Sequence, residues 1–395
     1  MSAQGGAPET AAPLIFLVAG EPSGDQLGAR HMAALKAETG GRVRFAGVGG
    51  ERMAAEGLAS LFPIQELAVM GLIEVLPHAL NIYRRIRQTV AAAAAARPAA
   101  LVTIDSPSFT LEVSQRLKGR GFPLIHYVAP SVWAWKAWRA KNIAGFLDHL
   151  LALLPFEPPY FEKHGLKTTF VGHPAIEMAG VPLDRAAFRA RYFIPAEAPL
   201  LTVLPGSRRG EVKRLAPVFG ATLGRLAKQH LGLRAVVPTV ETVADQVEAA
   251  VRDWPVPTDV LHDQAEKYQA FAASDAALAA SGTVAVELAV AGLPAVIGYR
   301  LNWLSGALAR RLVKAKYVSL VNLVLDRPLQ PELLLGDCTP RRLAVALEPL
   351  LDDPAARAKH LAGCREAVAR LSAGDENPSR RAARVILSAA EGAKR

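Results

Sequence analysis

The stretch 201–215, LTVLPGSRRGEVKRL, is an apolar run that halts at Pro205-Gly206-Ser207 and resumes as a charged helical pattern. Folded as strand, turn and helix, it would aim backbone N–H groups, the Ser207 hydroxyl and the Arg208 and Arg209 guanidiniums at one point. A helix N-terminus carries about half a positive charge and unpaired donors, and arginine adds a planar fork that matches phosphate oxygens in pairs. Such a site binds phosphate, although an ordinary strand-to-helix turn with surface arginines uses the same residues. A second stretch, Ser281-Gly282-Thr283 with Glu287 one helical turn in, supplies hydroxyls, a glycine for close backbone approach and a carboxylate able to accept from ribose hydroxyls. Two such stretches in one half of a chain suit a nucleoside diphosphate better than a lone phosphate.

Groups able to move a proton lie in the other half. Asp105 follows the apolar run 99–104, and the carboxyl ends of parallel strands form the ligand crevice; aspartate at that place is equally a helix N-cap. Gly20-Glu21-Pro22-Ser23-Gly24-Asp25 follows the run 14–19 in the same way. His173, before Pro174, reads either as an acid or base or as a hydrogen-bonded hinge residue. Trp133, Trp135 and Trp138, beside Lys136 and Arg139, suit a sugar or acyl platform or the packing of a long loop. Gly47, Gly49 and Gly50 lack the spacing of a dinucleotide fingerprint and read as a tight turn.

These residues need strands and helices behind them. Apolar runs at 14–19, 43–48, 99–104, 124–128, 150–154 and 168–171 read as buried parallel strands, and runs at 201–204, 234–238 and 276–280 repeat the pattern. Helical patterns at about 26–39, 70–90 and 284–291 alternate with them. The expected fold class is α/β, with two Rossmann-like domains of parallel sheets facing an interdomain cleft. A chain of 395 residues exceeds what one core usually supports. The expected division is 1–180, a junction rich in turn residues before 198, a second domain to 350, and helices over 351–395 that pack back on the first domain or exchange with another subunit as a homodimer.

Lys and Arg exceed Asp and Glu by 46 to 36, a formal charge of +10, which favours phosphorylated substrates, polyanions or an anionic membrane surface. Nucleic acid is disfavoured, because no binding motif or basic stripe with interleaved aromatics occurs. Two cysteines, Cys338 and Cys364, fit a reducing compartment and offer no zinc-ligand spacing. The opening residues carry no basic region ahead of their apolar run and read as a tail, not a secretory signal. Neither apolar stretch, 90–104 or 146–156, approaches the ~20 uninterrupted residues of a membrane span, so membrane contact is expected to be peripheral. The helical stretch 70–90 is amphipathic, with Leu72, Ile73 and Leu76 on its apolar side and Arg84, Arg85 and Arg87 at its end. It could lie on a lipid surface or pack on a core with a solvated arginine end. Arg310 and Arg311, after an apolar segment with Trp303 and Leu304, form a second such candidate.

Taken together, AGEPSGD (19–25), GVGGERM (47–53), MGLIEVL (70–76), IDSP (104–107), HYVAPSVWAW (126–135), LPFE (154–157), VGHP (171–174), LPGSRRGEV (204–212), SGT with Glu287, and RRLVKAKYVSLVNL (310–323) resemble one family, the lipid-A-disaccharide synthases. The resemblance spans nearly the whole chain in the family's order. It implies an inverting glycosyltransferase of the GT-B type in lipid A, hence lipopolysaccharide, synthesis of Gram-negative bacteria. The implied reaction joins UDP-2,3-diacylglucosamine to 2,3-diacylglucosamine 1-phosphate (lipid X), giving the β-1,6-linked disaccharide 1-phosphate and UDP. It also implies no cofactor and no required metal. Two departures occur: Ser108-Phe109-Thr110 where the family usually reads Asp-Phe-Asn, and Leu335 where it usually has glutamine.

Inverting transfer needs a base for the acceptor hydroxyl and stabilisation of the departing diphosphate. Asp105 is the expected base and Glu21 the second choice, with Ser23, Gly24 and Asp25 as substrate contacts beside them. Arg208, Arg209, the Ser207 region and the Ser281–Thr283 nest would hold the diphosphate, and Asn322 is a donor contact or a turn cap. Acylated substrates place the protein at the cytoplasmic face of the inner membrane. The competing activity is a UDP-sugar epimerase of the same two-domain shape.

Overall fold

The computed structural model describes residues 12–67, 75–180, 183–301 and 315–392, without the side chains of 75–79 and 179–180. The chain forms two units: one from its start to Pro174 joined by the stretch from Ser372 onward, the other from Ala175 to Leu371.

Unit 1 holds β1 (Leu14–Ala19), β2 (Arg44–Val48), β3 (Ala100–Ile104), β4 (Leu124–Tyr127), β5 (His149–Ala152) and β6 (Lys167–Phe170). They make one sheet in the order β2-β1-β3-β4-β5-β6, and every pairing is parallel. In β1, Ile15 and Leu17 enter a core completed by Met32 and Leu35 of the helix Pro22–Thr39, whereas Phe16 and Val18 face a second core with Ile86, Phe109 and Val113. A strand covered on both faces has no polar side to show, hence the unbroken apolar run. The chain passes from β1 to β2 on one side and then to β3 on the other, so the order reverses between β1 and β3. Loops at such a reversal diverge and leave a crevice at the strand ends.

Unit 2 repeats the plan with β7 (Leu200–Leu204), β8 (Arg234–Pro238), β9 (Thr258–Leu261), β10 (Ala276–Ala279), β11 (Ala295–Tyr299) and β12 (Glu332–Leu334). Their order is β12-β11-β10-β7-β8-β9, again all parallel, with the reversal between β7 and β10. The expected α/β class with two parallel-sheet domains therefore holds. Sequence reading missed β9, β11 and β12; β12 has only three residues and β9 is half-buried along most of its length, so neither carries a sustained apolar run.

Two boundaries differ from expectation. The stretch read as a junction before 198 carries a helix, Arg185–Arg191, that belongs to unit 2. Its Arg189 is buried and donates to the carbonyls of Pro195, Ala196, Ala198 and Ala273 and to Asp275 at 2.9–3.2 Å. Charge at this place marks an internal tie, which composition alone reads as a linker. The final helices also divide: Pro354–Leu371 stays with unit 2, while Pro378–Gly392 lies on the opening helix of unit 1. There Ala382, Ala383 and Ile386 join the core, and Arg380 and Arg384 bond Glu38 at 2.9 and 2.8 Å.

Candidate active site

At the reversal point of unit 1, the loop after β1 meets the loop after β3. Asp105 and Ser106 both take positive φ, 50° and 45°, a region that non-glycine residues seldom occupy, aspartate more readily than most. The bend is held from three sides. Asp105 N–H donates to the Tyr127 carbonyl at 2.9 Å, the N–H groups of Phe109 and Thr110 donate to the Ser106 carbonyl, and the Thr110 hydroxyl donates to the carbonyls of Asp105 and Ser106. Thr110 is one of the departures noted above, and here it braces the turn that displays Asp105. The Ser23 hydroxyl lies 3.4 Å from Asp105 Oδ2. Gly20 makes this approach possible, since a Cβ on it would lie 2.5 Å from Ser106 Oγ. Glu21 is the N-cap position of the helix Pro22–Thr39, half-buried beside Ser23.

Asp25 has another task. It is 7% exposed, and its carboxylate accepts from the N–H groups of Gly50, Arg52 and Met53 at 2.7–3.1 Å. It caps the helix Glu51–Ala55 and ties the GVGG turn to the opening helix, which replaces its expected role as a substrate contact; Gly24, buried beneath it, lets that helix approach β1 and β3. Gly47 is obligatory for the same turn, with φ 136° and no room for a Cβ against the Leu17 carbonyl.

Buried histidines are removed from acid–base work near neutral pH. Burial lowers His31 and His126 to about 3 and His173 to about 4. His126 accepts or shares a hydrogen bond with Thr103 at 2.9 Å, and the His31 ring stands edge-on to Tyr127 at 4.1 Å. Glu157 of the LPFE turn was not singled out by sequence reading. Its carboxylate, pushed up to about 7 by burial, accepts from Leu153 N, Leu154 N and Trp133 Nε1, while Trp135 and Trp138 stand exposed.

In unit 2, Leu204 of β7 is paired with Ala279 of β10, so the loops that follow leave the sheet side by side. Ser207, Arg208, Arg209, Gly282 and Thr283 are exposed there, and Gly206 and Gly282 take φ of 113° and 147°. Arg208 is the extended N-cap of the helix Arg209–Leu226. Ser281 donates to the Val318 carbonyl at 3.3 Å. Glu287 is ion-paired with Lys267, both side chains less than one-fifth exposed, so a ribose hydroxyl reaching Glu287 would share it with that cation.

Asn322 takes the second of the two roles read for it, the turn cap. It is fully buried, its Oδ1 accepts from Leu329 N and Gln330 N at 2.9 Å, and its Nδ2 donates to Gln330 O and Glu332 Oε1 at 2.8 Å. All four hydrogen-bonding positions of the amide are used inside the fold, so Asn322 holds a turn. Asn322→Ala is expected to destabilise unit 2 by about 3 kcal/mol through orphaned buried groups. That should lower its thermal midpoint by roughly 6–12 °C. A normal melt with a raised donor KM would restore the contact role.

Of the lipid-facing candidates, Leu72, Ile73, Arg310 and Arg311 lie outside the described residues, as does the side chain of Leu76. Arg84 and Arg87 are exposed on the helix Val75–Ala96. Arg85 is not available to lipid: it pairs with Glu66 at 2.6 Å, bonds Gln88 and lies over the Phe62 ring. Among the described residues no helix is long and apolar enough to cross a membrane.

A family model described as lipid-A-disaccharide synthetase matches residues 15–386. The chain belongs to this family. Among lipid-A-disaccharide synthases, that of Rhodospirillum centenum is 56% identical over 95% of this chain and 94% of its own. That of Paramagnetospirillum magneticum is 54% identical over 95% and 97%. Solved structures share the fold at low identity. A UDP-GlcNAc 2-epimerase from Neisseria meningitidis bound to UDP-GlcNAc superposes with a TM-score of 0.61 at 12% identity, covering 95% of this chain and 98% of that one. MurG from Acinetobacter baumannii gives 0.59 at 14%, covering 95% and 99%. The motifs that carry the resemblance now have places: AGEPSGD and IDSP meet at the reversal point of unit 1, and LPGSRRGEV and SGT at that of unit 2. The second departure, Leu335, takes φ 53°, uncommon for a bulky side chain.

Proposed function

We propose that this glycosyltransferase condenses UDP-2,3-diacylglucosamine with 2,3-diacylglucosamine 1-phosphate, forming the β-1,6-linked lipid A disaccharide 1-phosphate and releasing UDP. The observation that carries the reading is that the family's motifs fall on both reversal points, a carboxylate at one and an arginine-bearing anion loop at the other. In this reading unit 1 handles the acceptor and unit 2 the donor. Asp105 accepts the proton of the acceptor's 6-hydroxyl as that oxygen attacks the anomeric carbon. The bond from that carbon to the diphosphate oxygen breaks, and the configuration inverts. Arg208, assisted by Arg209 and the Ser281–Thr283 loop, stabilises the negative charge that develops on the departing UDP. Glu21 and Ser23 line the loop beside Asp105 and orient the acceptor.

The test is to incubate the purified protein with both substrates and look for disaccharide and UDP. Product formation that requires the acceptor supports transfer. Conversion of the donor sugar without an acceptor would support the epimerase instead.

Both substrates are acylated, which places the protein against the cytoplasmic face of the inner membrane. In this reading the exposed Arg84 and Arg87 meet anionic headgroups, each contributing about 1 kcal/mol near such a surface. Replacing both by alanine is expected to weaken binding to anionic vesicles roughly 30-fold at low salt. Unchanged vesicle binding would remove this helix from the contact.

A further inference from the structure

The anion loop of unit 2 contains an anion of its own. Glu211, in the first turn of the helix Arg209–Leu226, is 6% exposed, and its carboxylate faces back into the loop. Oε2 accepts from Ser207 N at 3.3 Å, Oε1 from Arg208 Nη1 at 3.3 Å, and Oε1 also from the Tyr299 hydroxyl at 3.4 Å. The loop is folded tightly over this side chain: a Cβ on Gly206 would lie 2.5 Å from Glu211 Oε2. Tyr299 ends β11, two strands away from β7, so the carboxylate joins the anion loop to a distant part of the sheet. The next turn repeats the tie, with Arg214 Nε donating to the Arg300 carbonyl at 3.2 Å. Burial, and then the charge of Glu211, hold the Tyr299 phenol above its usual range, which keeps it a donor to that carboxylate.

Arg208 itself is largely exposed, its side chain 61% accessible. A long exposed cation samples many rotamers, and ordering it when the reaction occurs carries an entropic penalty. An internal carboxylate that already holds one guanidinium nitrogen reduces that search and leaves the remaining N–H groups of the fork for a phosphate.

We infer that Glu211 is a positioning residue for the proposed transfer, holding the Arg208 guanidinium and the Pro205–Arg208 loop, with Tyr299 as its brace, in the arrangement that receives the diphosphate. This rests on the donor role of unit 2 given above. It acts chiefly through Arg208, so most of its effect should vanish when Arg208 is absent.

The experiment is a double-mutant cycle. Glu211→Ala is expected to lower kcat roughly 10- to 100-fold with donor KM changed less than about threefold, because orientation is felt where charge develops. In an Arg208→Ala background the same change should cost less than about threefold, since coupled residues are not additive. Glu211→Gln is nearly isosteric but loses the charge, and about a tenfold loss of kcat is expected of it, so a Glu211→Ala chain that fails to fold does not end the test. Affinity for free UDP, which carries the terminal-phosphate charge that the donor's sugar ester lacks, should fall by calorimetry in Glu211→Ala and in Arg208→Ala and no further in the double variant. Losses that multiply in the cycle, or a Glu211→Gln protein with wild-type kcat and UDP affinity, would overturn the inference. If the wild type forms no disaccharide yet binds UDP with the coupled losses, transfer falls and the positioning role stands. A wild type that binds no UDP overturns both.

Discussion

Asp105→Asn is expected to lower kcat by about 10²- to 10⁴-fold, the range for removing a positioned general base, while leaving the melting midpoint close to that of the wild type. Asparagine is the informative replacement because residue 105 sits at φ 50°. Among non-glycine residues, asparagine tolerates that region about as well as aspartate, and its amide can still meet the Ser23 hydroxyl. Alanine, by contrast, would lose the base and strain the turn together, mixing chemistry with stability. The amide has no lone pair basic enough to take a proton from the acceptor hydroxyl, so substrate binding should persist while turnover falls. Disaccharide formation by the asparagine variant within about fivefold of the wild type would move the base to Glu21, the other carboxylate at this reversal point.

The second large effect concerns the leaving group. Arg208→Ala should lower kcat by about 10²- to 10³-fold, the loss typical of removing one group aimed at charge that develops in the transition state. Arg209→Ala should lower it no more than about fivefold. The two arginines are neighbours, yet the fold separates their tasks. Arg208 is the extended N-cap residue and its guanidinium is held by Glu211, whereas Arg209 opens the helix and its carbonyl accepts from Gln246 at 3.1 Å. Arg208→Lys should fall between them, since an ammonium supplies charge without the paired fork. Steady-state kinetics on the three variants checks this. Equal losses at Arg208 and Arg209 would mean that the loop contributes only diffuse positive charge.

Much of this arrangement was legible in the residues themselves. All nine runs read as strands fall on strands of the two sheets; seven of them are buried along nearly their whole length, because a strand covered by helices on both faces must be apolar throughout, while the edge strands β2 and β6 are only half-buried. That property is local and survives translation into a pattern. The stretch Pro205-Gly206-Ser207 was likewise readable as a turn, since glycine at φ 113° is a requirement of the backbone there. Helix starts were less legible. The opening helix begins at Pro22, four residues before the pattern suggests, because proline fits the first helical turn but breaks an apolar periodicity.

Polar residues were the harder part. Asp25 and Asn322 lie in motifs that resemble substrate loops, and both are turned inward. Asp25 meets N–H groups that lie 25 to 28 residues away, and Asn322 closes a loop seven and eight residues ahead. Arg85 looked like a surface cation and is held by Glu66, 19 residues earlier. Of the ties of Glu211 only the pairing with Arg208, three residues before it, was local enough to read; its partner Tyr299 is 88 residues away and its spacing from Ser207 is one residue longer than a capping box.

By itself, then, the sequence determined nine of the twelve strands among the described residues, the turns that follow them, which loops bear carboxylates and which bear arginines, and the family to which these motifs belong. Only the tertiary structure decided which of those polar groups still face outward. Apolar periodicity is written in neighbouring residues, whereas a buried carboxylate or amide is satisfied by whatever donor the folded chain brings to it. At the two strand reversals that process left Asp105 half-buried and Arg208 exposed, and turned Asp25 and Glu211 to the support of their loops.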